Sequence, residues 1–148
     1  DDAELLADID SVVATCCAIK ARIVEQDEFD TGLRMLLNFG HTLGHAVEQH
    51  FGYSSFTHGE GVAIGMYQLT KRTEELGMTA KGSAERIKSV LEKYNLPLTA
   101  GVEKAQLLDT MARDKKKNGN SITLIILQQI GEGVLQKVDW QQVPRYLG

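Results

Sequence analysis

The chain has only two cysteines, and no run of apolar residues approaches the ~20 needed to span a membrane. No signal-peptide pattern is read at its start, which makes the cytoplasm the expected compartment. Basic residues are not in surplus: the net charge is −4, which argues against nonspecific binding to nucleic acid or to a membrane surface. Cys16 and Cys17 are adjacent and belong to no CxxC pattern, so they read as two small helix residues in a reducing compartment. There is no GxGxxG after a strand and no GxxxxGK followed by Ser or Thr, so neither common route to a nucleotide phosphate is present. GxSxG is missing as well. His41 and His45 are spaced as in HExxH, but position 42 is Thr, so the glutamate base of that metallohydrolase motif is absent and a hydrolase is not the reading.

What is there reads as one soluble domain, 148 residues long and 43% apolar. The first residue is not Met and the chain begins inside a predicted helix, so a piece of a longer protein is expected. Leu5, Leu6, Ile9, Val12, Val13, Cys16, Ile19 and Ile23 recur at helical spacing and predict an amphipathic helix over about 2–25. A turn at Asp27 to Gly32 leads into a second helix that carries the histidines and ends near Gly52. Further helices are expected over Gly59–Leu76, capped by Gly77, then Ser83–Tyr94 and Val102–Lys116. The period then changes. Ile122–Leu127 is β-branched and apolar, Gly131-Glu132-Gly133 reads as a turn, and Val134–Val138 returns as its partner. The expected fold is mainly α with one late β-hairpin.

The chemistry is concentrated in the second helix and just after it. On a continuous helix, Arg34, Asn38, His41 and His45 would share one face and form a polar stripe roughly 16 Å long. A solvated face would carry Glu and Lys rather than two imidazoles, an amide and a guanidinium. His58 follows after a loop, so three imidazoles fall within a short span, a donor set suited to zinc or to an anion. Gly40 and Gly44 each lower helix propensity by ~1 kcal/mol. Close helix packing and close approach of a ligand explain them equally well.

These residues also form a longer pattern. Asp27-Glu-Phe-Asp-Thr-Gly-Leu-Arg34, Leu37-Asn-Phe-Gly-His-Thr-Leu-Gly-His-Ala46 and His58-Gly-Glu-Gly-Val-Ala-Ile-Gly-Met66 closely resemble 3-dehydroquinate synthase. Lys20-Ala-Arg-Ile-Val24 and Arg113-Asp-Lys-Lys116 fall in that family's order. The resemblance covers the family's C-terminal, mainly helical domain. It implies that an N-terminal NAD-binding domain lies outside this chain.

The resemblance implies an enzyme of the shikimate pathway, a carbon–oxygen lyase that converts 3-deoxy-D-arabino-heptulosonate 7-phosphate to 3-dehydroquinate and phosphate. In that family an alcohol is oxidised, phosphate is eliminated, the ketone is reduced again and an aldol step closes the ring. NAD and a divalent metal, zinc or cobalt, are the implied cofactors. The implied metal ligands are His41 and His58, with a third, a glutamate, upstream of Asp1. His45 and Lys20 are the implied catalytic groups. Arg34, Asn38, Lys115 and Lys116 are implied to hold the substrate's phosphate, carboxylate or hydroxyls, with the lysine match ambiguous by one position. Cations there also suit a helix C-terminus on electrostatic grounds alone. Where the family has Glu in the turn before Leu33-Arg34, this chain has Asp30, one methylene shorter, so Asp30 is left out of the site. The implied partners are the N-terminal domain and a second copy in a homodimer. Two alternatives remain: another sugar-phosphate cyclase such as 2-deoxy-scyllo-inosose synthase, and a non-catalytic helical metal-binding domain.

Overall fold

The computed structural model describes the backbone of residues 2–29 and 32–148, and their side chains except those of 2–5 and 113–118. Asp30 and the side chains of Lys115 and Lys116 therefore lie outside the described residues. The chain forms two compact units, Asp1–Leu37 and Asn38–Gly148.

The first unit is helix α1, Asp2–Gln26, followed by a turn and most of a short 3-10 helix, Leu33–Asn38. Helix α1 spans the predicted range, but its apolar residues Leu6, Val12, Val13 and Ile19 are exposed. The turn is organised by Asp27, whose Oδ2 accepts the backbone N–H groups of Gly32 at 2.8 Å and Arg34 at 3.0 Å.

The second unit contains α2 (His41–His50), α3 (His58–Glu75), α4 (Ser83–Lys93), α5 (Lys104–Asn118), strands β1 (Ser121–Gln129) and β2 (Glu132–Asp139), and a 3-10 turn, Val143–Tyr146. The strands pair antiparallel, with Ile126 opposite Val134 and Ile122 opposite Val138. Their connection is tighter than the sequence suggests: Gly131, at φ +93°, makes the turn with Ile130, while Glu132 and Gly133 already belong to β2. Leu43 and Ala46 of α2, Leu69 of α3, Met111 of α5, Leu124 and Ile126 of β1 and Val138 of β2 meet in one core. Val143, Tyr146 and Leu147 join them from the C-terminal turn. The hairpin is also tied to the end of α3. Thr79 Oγ1 donates to the Leu127 carbonyl at 2.7 Å and sits 2.6 Å from Thr73 Oγ1, which itself lies 2.9 Å from the Leu69 carbonyl.

One expectation fails. The histidine helix is not continuous from Leu33, because Leu33–Asn38 is wound as a 3-10 helix and α2 begins only at His41. Between them Gly40 takes φ +81°, a left-handed conformation that ends one helical segment before the next starts. A Cβ there would fall 2.6 Å from Met66 Cγ and 2.7 Å from the Val62 carbonyl oxygen, so α3 occupies the space a side chain would need. Arg34, Asn38, His41 and His45 are therefore not carried by one continuous helix. Arg34 instead donates from Nη1 to the Glu28 carbonyl at 2.9 Å.

Gly44 of α2 and Gly61 and Gly65 of α3 serve close packing. A Cβ on Gly44 would lie 2.9 Å from the carbonyl carbon and oxygen of Gly61 and from the Val62 nitrogen, all backbone atoms. Of the two explanations left open for Gly44, helix–helix approach is the one the structure supplies.

Candidate metal centre

The start of α3 is fixed by a reciprocal cap. Thr57 Oγ1 accepts the Glu60 N–H, while the Glu60 carboxylate accepts the Thr57 N–H and hydroxyl, each at 2.8 Å. These bonds, the backbone one foremost, hold the Glu60 carboxyl below its ordinary value. His58 is the first residue of the helix so anchored. His41 is the first residue of α2, immediately after Gly40, and His45 stands one turn further along.

The three rings converge. Centroids are 5.0 Å apart for His41 and His58, 5.5 Å for His41 and His45, and 5.6 Å for His45 and His58. Two imidazoles bound to one tetrahedral zinc at ~2.0–2.1 Å would put their centroids about 5 Å apart, so the spacing fits a shared ion. Their hydrogen bonds fit as well. His41 donates from Nδ1 to the Phe39 carbonyl at 3.3 Å, and His58 donates from Nδ1 to Glu48, 3.2 Å from each carboxylate oxygen. Both Nδ1 atoms are thus occupied as donors, which leaves the two Nε2 lone pairs free for a ligand.

A second donor set overlaps the first. His45, Glu48 and His58 each offer an atom, all within 4.8 Å of one another. Glu48 is at the same time engaged by His58 Nδ1. His45 also lines an adjacent cleft of about 210 Å³, with Thr42, Ala46, Gln49, Met111, Ile122 and Trp140. The cleft's hydroxyl, imidazole and amide offer hydrogen bonds above an apolar floor, while the Trp140 indole N–H is already donated to the Gly119 carbonyl at 3.0 Å.

The structure thus brings His41, His45 and His58 together. Asn38 is exposed at the end of the 3-10 helix, Lys20 is exposed on α1, and Arg34 is half-buried against Glu28. The residue that the sequence reading passed over is Glu48. Its signal was available, since it lies seven residues beyond His41 and three beyond His45, on the same face of α2. Thr42, Gln49 and Trp140 carried no such signal, because the cleft they line is made by elements far apart in sequence.

The fold matches that of solved sugar-phosphate cyclases. A 2-deoxy-scyllo-inosose synthase structure, complexed with carbaglucose-6-phosphate, NAD+ and Co2+, superposes with a TM-score of 0.76 over 95% of this chain and 40% of that one, at 17% identity. The 2-epi-5-epi-valiolone synthase of Streptomyces hygroscopicus subsp. jinggangensis, with NAD+ and Zn2+ bound, gives a TM-score of 0.69 over 84% of this chain and 35% of that one, at 20% identity. Sequence narrows the class. Residues 3–117 match the model for the 3-dehydroquinate synthase C-terminal family, and the chain belongs to that family. It is 46% identical to the 3-dehydroquinate synthase of Clostridium acetobutylicum, over 99% of this chain and 42% of that protein. With the enzyme of Enterococcus faecalis it shares 37% identity over 99% of this chain and 41% of that protein. The chain therefore spans about two-fifths of the length of these relatives.

Proposed function

We propose that this chain is the metal- and substrate-binding part of a 3-dehydroquinate synthase, converting 3-deoxy-D-arabino-heptulosonate 7-phosphate to 3-dehydroquinate and phosphate in the cytoplasm. The observation that carries the reading is the convergence of three imidazoles, two of them tethered through Nδ1 with Nε2 left free. That arrangement sits within a long sequence match to the family.

In this reading His41 and His58 hold a divalent ion, and a third protein ligand comes from an N-terminal half that also binds NAD. Such an ion, zinc or cobalt, supplies Lewis acidity toward a substrate hydroxyl. His45 faces the substrate from the cleft beside the ion, where its imidazole can act as a general acid or base. Arg34 can hold a phosphate or carboxylate through two parallel N–H bonds. Lys20 joins His45 as a catalytic group, and Asn38 and one of Lys115 and Lys116 complete the recognition of the two anionic groups. The N-terminal half and a second copy of the chain are the partners of this unit.

A cyclase acting on a different sugar phosphate shares the fold, yet the sequence identity to 3-dehydroquinate synthases, 46% and 37%, exceeds the 17% and 20% to the solved cyclases. The test is to follow phosphate release by the full-length protein with NAD and Zn2+, offering the heptulosonate phosphate and glucose 6-phosphate in parallel. Turnover of the carboxylate-bearing substrate is expected. Turnover of glucose 6-phosphate alone would overturn the proposal.

A further inference from the structure

Glu48 is an acid placed where an acid is expensive. Its side chain is only 8% exposed, whereas the His58 side chain it contacts is 57% exposed. Burying an ionised carboxylate is unfavourable unless it is paired and hydrogen-bonded. Among the described residues, the partner of its carboxylate is His58 Nδ1, 3.2 Å from both oxygens. The contact depends on the glycine seam. A Cβ on Gly61 would fall 3.2 Å from Glu48 Cγ, so the acidic side chain lies across the bare backbone of α3 on its way to the ring.

The asymmetry of exposure indicates which residue serves which. An imidazole at the first position of a helix and more than half in solvent is not held in one rotamer by packing. The buried carboxylate is fixed and can hold it. An ionised carboxylate only accepts, so the ring must present Nδ1–H to it and keep its lone pair on Nε2. The negative charge behind the ring also makes that nitrogen a better electron donor. His41 has a neutral counterpart in the Phe39 carbonyl.

We propose that Glu48 is a positioning residue: it selects the tautomer and orientation of His58 and strengthens it as a metal ligand, without itself entering the coordination sphere. This rests on the assignment of His58 as a ligand.

The experiment titrates the full-length apo-protein with Co2+, reading affinity and the visible absorption bands. It compares wild type with Glu48→Gln, Glu48→Ala and His58→Ala, with thermal melting as the folding control. Glu48→Gln keeps an acceptor for Nδ1–H but not the charge, and should weaken Co2+ binding on the order of tenfold with the bands unmoved. Glu48→Ala should approach a hundredfold. Should the alanine variant fail to fold, the glutamine variant decides alone. Its binding Co2+ as tightly as wild type would reduce Glu48 to a structural role, and a shift of its bands would make Glu48 a direct ligand; either overturns the proposal. Wild-type protein that takes up no Co2+, or His58→Ala that binds it equally well, overturns the metal assignment itself and this role with it.

Discussion

Replacing Gly44 with alanine tests the packing on which the whole centre rests. In an open helix the substitution would stabilise, because alanine exceeds glycine in helix propensity by ~1 kcal/mol. Here the new methyl would fall 2.9 Å from three backbone atoms of Gly61 and Val62, none of which can rotate away. Relief requires α2 and α3 to separate, and overpacking of this kind costs about 1–3 kcal/mol. The clash should win, leaving Gly44→Ala less stable by up to about 2 kcal/mol, or a melting temperature lower by up to roughly 8 °C for a chain of this size. Gly59→Ala is the matched control. It lies one residue past His58 on α3, has nothing within 4 Å of its would-be Cβ, and should be neutral or stabilising by up to ~1 kcal/mol. Urea denaturation of both variants beside wild type measures the difference. A Gly44→Ala protein as stable as Gly59→Ala would refute the close approach of the two helices.

Other consequences are open to measurement. The Glu74 carboxylate accepts the N–H groups of Gly82 and Ala84 at the start of α4, and those bonds, Ala84 first, hold its pKa below the usual 4.5. The folded state then binds fewer protons than the unfolded one, so this stabilisation is present above about pH 4.5 and disappears as the pH falls through the depressed value. Glu74→Gln should be less stable than wild type at pH 7 by under about 1 kcal/mol, given the group's exposure, and the difference should vanish in strong acid. Ile126→Ala, at a side chain 1% exposed, should lower stability by about 2–5 kcal/mol in the same denaturation assay. Arg34→Ala in the full-length protein should raise KM without a matching loss of melting temperature; a fall in stability large enough to explain the lost activity would contradict its binding role. Residues 1–148 alone should release no phosphate from the heptulosonate phosphate with NAD and Zn2+, since two histidines leave a catalytic zinc one protein ligand short.

Much of this was legible in the sequence, for reasons that differ from element to element. The hairpin shows in the β-branched run from Ile122 and in Gly131, because strand and turn preferences act locally. The clustering of His41, His45 and His58 shows because two share one helix face and the third opens the helix packed against it. The break at Gly40 does not show. Glycine in a helical pattern suggests only a propensity cost, and its left-handed conformation here is bound up with the approach of Met66 and Val62 from another helix. Glu48 shows only in part: its spacing puts it on the face of His41 and His45, but its burial beside His58 depends on the bare backbone of Gly61 in another helix. The burial of Val143, Tyr146 and Leu147 was equally invisible: a four-residue turn has no periodicity to read.

Metal content of the full-length protein and of its three single histidine-to-alanine variants tests the central claim most directly, because the two overlapping donor sets predict different patterns. With His41 and His58 as ligands, wild type should carry one zinc per chain, His41→Ala and His58→Ala should lose it while staying folded, and His45→Ala should keep the metal yet lose turnover. Loss of zinc from His45→Ala together with its retention in His41→Ala would contradict the account and place the ion on His45, Glu48 and His58 instead.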